Sequence, residues 1–209
     1  MSIINQLASS LHRKDEVPNQ ELAKRIATKT DKEAVHELFE LLQSKNKDIQ
    51  HDAIKVIYEV GSLAPTLLIG YENILLALLQ SKNNRLQWGA MTSLNTITEL
   101  VPDQIYAALS HIILAADNGS VITNDQCVAI LIKLCTISRY ADDSFTLLIE
   151  RLLKSPTNQL PMYAENAVPV VNAKNMSTFI KTLQLRVPEI EKDSKRARVE
   201  KVIKRVQKL

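Results

Sequence analysis

The chain has 209 residues, of which 45% are hydrophobic and 23% charged, with a net charge of +3. This is ordinary globular composition, able to bury a sizeable core, and a net charge too small to name a partner by itself. Four Gly and 4% aromatic residues argue against an all-β fold.

From the N-terminus, Ile3, Ile4, Leu7, Ala8 and Leu11 have helical spacing and predict a first short helix over 2–12. Pro18 suits the start of a second, carrying Leu22, Ala23 and Ile26. Beyond them the chain repeats itself. LLQSKN at 41–46 returns at 78–83. Ala53, Ala90, Cys127 and Ala164 are spaced by 37 positions. So are Ile57, Leu94, Leu131 and Val168, and Val60, Ile97, Leu134 and Val171. Upstream, Leu38, Leu75, Ile112 and Ile149 keep the interval, as do Leu42, Leu79, Ala116 and Leu153. A fixed period of this length marks a repeat array.

Each repeat predicts two helices, A and B, around a polar turn. Thr30 and Glu33 predict a capping box at the first helix A. Helix B of that repeat carries Ile49, Ala53, Ile54, Ile57 and Val60, and Gly61 and Pro65 are expected to end it. In the second repeat, Ile74, Leu75, Leu78 and Leu79 form helix A, Leu86, Ala90, Leu94 and Ile97 line helix B, and Pro102 follows. In the third, Leu109, Ile112, Ile113 and Ala116 precede an Asn118-Gly119 turn, and Thr123 or Asn124 is expected to cap helix B. In the fourth, Pro169 falls inside helix B and should kink or shorten it. The expected organisation is a single domain with cap helices at 1–29, repeats at 30–66, 67–103, 104–140 and 141–174, and a divergent basic cap at 175–209. The small column allows helices to approach closely, and the Leu and Ile columns fill the space between repeats. Leu94, central in its column, is expected to be core.

Ile49-Gln50-His51-Asp52-Ala53 and Leu86-Gln87-Trp88-Gly89-Ala90, with prolines between units, resemble HEAT repeats of the armadillo-type superfamily over roughly 30–175. The resemblance implies an all-α fold, an α-solenoid in which antiparallel helix pairs wind into a right-handed superhelix. One departure is plain. HEAT units usually carry Arg just after the first aliphatic residue of helix B, and here those positions are Gln50, Gln87, Asn124 and Pro161.

Chemistry-bearing motifs are sparse. No pair among His12, His36, His51 and His111 has metal-ligand spacing, and four Gly leave no phosphate-cradling loop. No cofactor or metal is expected. Cys127 and Cys135, eight apart on one helix, lie about 12 Å apart along its axis, beyond disulfide reach. Free thiols and a start without a signal peptide point to the cytoplasm, and no apolar run is long enough for a membrane span.

Two surfaces remain. Off the buried columns of the B helices lie His51, Lys55, Tyr58 and Glu59, then Trp88, Thr92, Asn95 and Glu99, then Asp125, Ala129, Ile132 and Lys133. In solenoids such a face binds partners, and its aromatic and mixed polar residues suit a protein or peptide. Trp88 has two readings, an exposed anchor or a side chain packed against the neighbouring helix. The second surface is basic: Lys195, Arg196, Arg198, Lys201, Lys204 and Arg205 crowd the last helix, and Lys45, Lys47, Lys82 and Arg85 add to the turns. It reads either as a solvated cap or as a polyanion-binding helix. The leading expectation is a non-enzymatic scaffold binding a protein or peptide partner. The alternative is a nucleic-acid-associated HEAT-like protein, either binding through the basic helix or resembling the DNA alkylation-repair glycosylases of similar architecture.

Overall fold

The computed structural model describes residues 2–208, and among them there is no β-strand. The chain forms two compact units, 1–127 and 128–209.

The first unit contains α1 (Val17–Lys29), α2 (Lys32–Leu41), α3 (Lys47–Leu63), α4 (Glu72–Leu78), α5 (Asn84–Ile97), α6 (Pro102–Ala107) and α7 (Leu109–Asp117). It closes within α8 (Val121–Cys135). Helix α3 is its centre, packed on α1, α2 and α5. The small column permits this. Ala53 and Ala90 are fully buried, and Gly89 lets α5 approach so closely that a Cβ there would lie 2.5 Å from Ile54 Cγ1.

The second unit holds α9 (Ala141–Lys154), α10 (Leu160–Ala167), α11 (Met176–Arg186) and α12 (Asp193–Val206). Helix α11 packs on α9 and α12, and α10 packs on α12. Pro169 shortens helix B as expected: α10 ends at Ala167 and Val168–Val170 continues as a 3-10 turn.

Every column residue is buried except Leu153, which is 42% exposed. Its equivalents Leu42 and Leu79 sit at helix C-caps, whereas α9 runs on to Lys154 and turns Leu152 inward instead.

Several local expectations are corrected. Residues 2–12 form only a 3-10 turn at Ile4–Gln6 followed by turns. The amides that a helix would need are taken elsewhere: Ala8 N donates to Asn19 Oδ1 and Ser9 N to Asp52 Oδ2. Thr30 is not the cap of α2. It adopts a left-handed conformation closing α1, and Asp31 caps α2 by accepting from Ala34 N. Gly61 does not end α3, which runs to Leu63. It is a contact point, since a Cβ there would lie 2.5 Å from Thr96 Oγ1 and 2.7 Å from Leu68 Cδ1.

Pro65 and Pro102 likewise begin elements rather than end them. Each occupies the first turn of a short helix, Pro65–Leu68 (3-10) and α6, where the missing N–H costs nothing. These repeats therefore have a third short element before the pair, and it buries Leu67, Leu68 and Ile105. Ser120, rather than Thr123 or Asn124, caps α8, its Oγ accepting from Thr123 N. Ile74 lies on helix A as expected, with 39% of its surface exposed.

The repeated LLQSKN block is a hinge with defined chemistry. Leu42 and Leu79 are buried. Ser44 and Ser81 accept from the amides of Asn46 and Asn83. Those asparagines in turn cap α3 and α5, accepting from Asp48 N and Arg85 N. The position where HEAT units carry Arg then ties the helices together. Gln50 Nε2 donates to Leu42 O, Gln87 Nε2 to Leu79 O and Asn124 Nδ2 to Ala116 O. An amide ladder thus stands where HEAT units carry a charged one.

Candidate functional site

The B-helix face of the first unit gathers around an ionic knot. Lys55, on α3, points across to Glu59 one turn on and to Glu16 at the start of α1, with Nζ–O distances of 2.6 and 2.8 Å. Arg85, at the start of α5, takes the other Glu16 oxygen at 2.7 Å. Glu16 therefore joins the N-terminal segment to two consecutive repeats. The Lys55 hydrogen bond holds the Glu16 carboxyl below its ordinary pKa despite partial burial. Burial works against the Lys55 ammonium, but Glu16 and Glu59 outweigh it and keep its pKa above the usual lysine value. Lys55 retains only 7% of its side-chain exposure, so its charge is spent inside the chain.

The aromatic residues sit beside this knot. Lys55 Nζ lies 4.8 Å from the centre of the Tyr58 ring, a cation–π contact. Tyr58 packs at a tilt of 50° on Trp88 of the next repeat, with ring centroids 5.5 Å apart. Burial raises the pKa of the Tyr58 phenol. Both rings are half-buried. Trp88 packs on the neighbouring repeat through Tyr58, and a portion of it remains open.

The polar members are organised by neighbouring side chains. Asn83 Oδ1 accepts from Arg85 N, and the Asn83 side-chain amide also meets His51 Nε2, its Nδ2 at 3.0 Å and its Oδ1 at 3.2 Å. Asn95 Nδ2 donates to Gln126 Oε1 at 2.6 Å. Thr92 Oγ1 bonds back to Trp88 O within α5. Asp125 is half-buried and Glu99 is exposed. A cleft of about 530 Å³ opens between the N-terminal segment and this face, lined by Ser9, His12, Asp48, His51 and Arg85 among others.

The structure thus brings His51, Lys55, Tyr58, Trp88, Thr92 and Asn95 onto helices that pack together. Sequence reasoning missed Glu16, Asn83 and Gln126 as members of the group. No periodic signal could have found Glu16, which lies outside the repeats.

The basic residues of α12 divide into two sets. Arg198 forms a two-pronged pair with Glu165, at 2.8 and 2.5 Å. Arg196 donates to Ile190 O, and Lys195 to Asn158 Oδ1. Lys201, Lys204 and Arg205 are exposed. Burial pushes the pKa of the Cys135 thiol up to about 12. Among the described residues, no cluster of His, Cys, Asp and Glu could hold a metal ion, and no helix is long and apolar enough to cross a membrane.

No known family model matches the chain, and no curated protein matches it. Solved structures do. A computationally designed armadillo repeat protein made for modular peptide recognition superposes with a TM-score of 0.66 at 15% identity, covering 97% of each chain. A second designed armadillo repeat protein gives 0.64 at 13% identity, over 97% of this chain and 99% of that one. An engineered protein solved by a structural genomics consortium gives 0.62 at 18% identity over the full length of both. The protein has the all-α, armadillo-type α-solenoid repeat fold.

Proposed function

We propose that the protein is a non-enzymatic interaction scaffold whose helix-B face in residues 1–127 binds an extended peptide or protein segment. The observation that carries this reading is the half-buried Tyr58–Trp88 pair, which spans two repeats and keeps part of its apolar surface open. Hot spots favour such aromatic anchors with polar rims. Thr92, Asn95, Glu99, Asp125 and His51 supply the rim, while the Lys55–Glu16–Arg85 knot fixes the helices beneath. A designed armadillo protein of similar fold was made for peptide recognition, which is consistent with this use of the architecture.

Trp88 is the only tryptophan, so its fluorescence reports on this face directly. A displayed peptide library is selected against the chain, and the winning peptides are titrated in. Saturable binding that shifts Trp88 emission, and that weakens at least tenfold in Tyr58→Ala/Trp88→Ala, is expected. Peptides that bind the double variant as well as the parent would show that the face is elsewhere.

A further inference from the structure

The charge of the chain is unevenly divided. Residues 1–127 hold eleven Lys and Arg against fifteen Asp and Glu, a net of −4. Residues 128–209 hold fifteen against eight, a net of +7. Within the second unit, ion pairs occupy Lys154, Lys174, Arg186, Arg196 and Arg198. Four more cations stand on α12 and the turn that ends it. Lys201, Lys204, Arg205 and Lys208 are all exposed. Their spacing of i, i+3, i+4 and i+7 puts them on one side of the helix. None of them forms a salt bridge or a side-chain hydrogen bond among the described residues.

We infer that this stripe docks the phosphodiester backbone of a nucleic-acid duplex without reading its sequence. Seven residues of helix separate its ends, about 10 Å of axis. Phosphates recur at about 3.4 Å of axis per strand, so four flexible cations on that length reach successive phosphates. Cations in a last turn also favour the helix dipole. That accounts for Lys204 and Arg205 but not for Lys201, a turn earlier. The opposite side of α12 distinguishes a duplex from a lipid surface. Val199, Val202, Ile203 and Val206 are buried against the unit, so the helix is rigidly held. It has no apolar face to sink into a bilayer, which an interfacial helix requires. No aromatic residue stands on the stripe to stack on a base, and backbone contacts alone carry no sequence information.

The test is fluorescence anisotropy of labelled duplexes, about 20 base pairs long and of unrelated sequences, with the full chain at about 50 and 200 mM salt. The expected result is binding at the lower salt that differs little between sequences and weakens on the order of 100-fold at the higher salt, as four phosphate contacts require. Lys201→Gln/Lys204→Gln/Arg205→Gln should abolish it with an unchanged circular dichroism spectrum, since all three side chains are exposed. Lys201→Gln alone should lower the salt slope by about one. Lys45→Gln/Lys47→Gln, on exposed hinge positions of the first unit, should bind as the parent does. Absence of binding at 50 mM salt, or binding retained by the triple variant, would overturn the inference. So would tighter capture by phosphatidylserine-containing vesicles than by duplex, which would assign the stripe to a membrane surface.

Discussion

In the first three repeats, the carbonyl at the end of helix A is satisfied by a neutral amide early in helix B: Gln50 to Leu42, Gln87 to Leu79, Asn124 to Ala116. In the fourth, the equivalent position is Pro161, which has no polar side chain to offer. There Arg186, from α11, takes over. Its guanidinium donates to Leu152 O and Leu153 O at 2.7 and 2.5 Å and to Ser155 O at 2.8 Å, and Glu189 balances the charge at 2.8 Å. The comparison separates a requirement from its solution. Open carbonyls at a helix end must find donors, but which residue supplies them is free to change. A short local link needs no charge. A donor brought from a later helix must serve several acceptors at once, and the planar fork of Arg can do so.

The columns give the largest effect by which to probe that contrast. Leu94→Ala, fully buried, should cost about 2–5 kcal/mol in chemical denaturation, whereas Leu153→Ala, 42% exposed, should cost less than about 1 kcal/mol. Equal losses would mean that the fourth repeat is packed like the others.

Next is Arg186→Met, which keeps most of the stem and removes the fork. It leaves carbonyls in a buried setting without donors, so a loss of about 2–4 kcal/mol is expected from the same measurement. Gln87→Ala removes one neutral link and should cost about 1 kcal/mol. If Gln87→Ala proved as costly as Arg186→Met, the two solutions would not differ in kind.

The smallest effect is a pH dependence. Glu16 and Glu165 both have carboxyl pKa values below the ordinary one near 4.5, held down by Lys55 and Arg198 respectively. A depressed folded-state pKa gives stability that is fully present above the unfolded value and lost as pH falls through the folded one. Thermal melting should therefore drop below about pH 4.5. Glu16→Gln should remove part of that acid sensitivity while leaving the contribution of Glu165 in place.

Much of the scaffold was legible because its cause is periodic. The 37-residue columns pick out the buried face: Ala53, Ala90 and Cys127 are each fully buried. What misled was local. Thr30-x-x-Glu33 matches a capping box, but one residue further on Asp31 makes the cap while Thr30 turns left-handed to close α1. Pro65 and Pro102 look like stops, yet a proline is equally suited to begin a helix. Residues 3–11 carry a helical pattern, but the amides of Ala8 and Ser9 are claimed by Asn19 and Asp52, 11 and 43 positions away.

The sequence by itself determined the α-solenoid, its period and which face is buried, because apolar spacing and the need to hide it act within a few turns of chain. It also placed Tyr58 and Trp88 off those columns. Only the tertiary structure decided that Lys55 is spent on Glu16 and Glu59, that Arg85 belongs to the same knot, and that Arg198 is paired while Lys201, Lys204 and Arg205 stand open. Which ions meet depends on where separate helices bring their side chains, at distances of 2.5 to 2.8 Å that no one-dimensional pattern records.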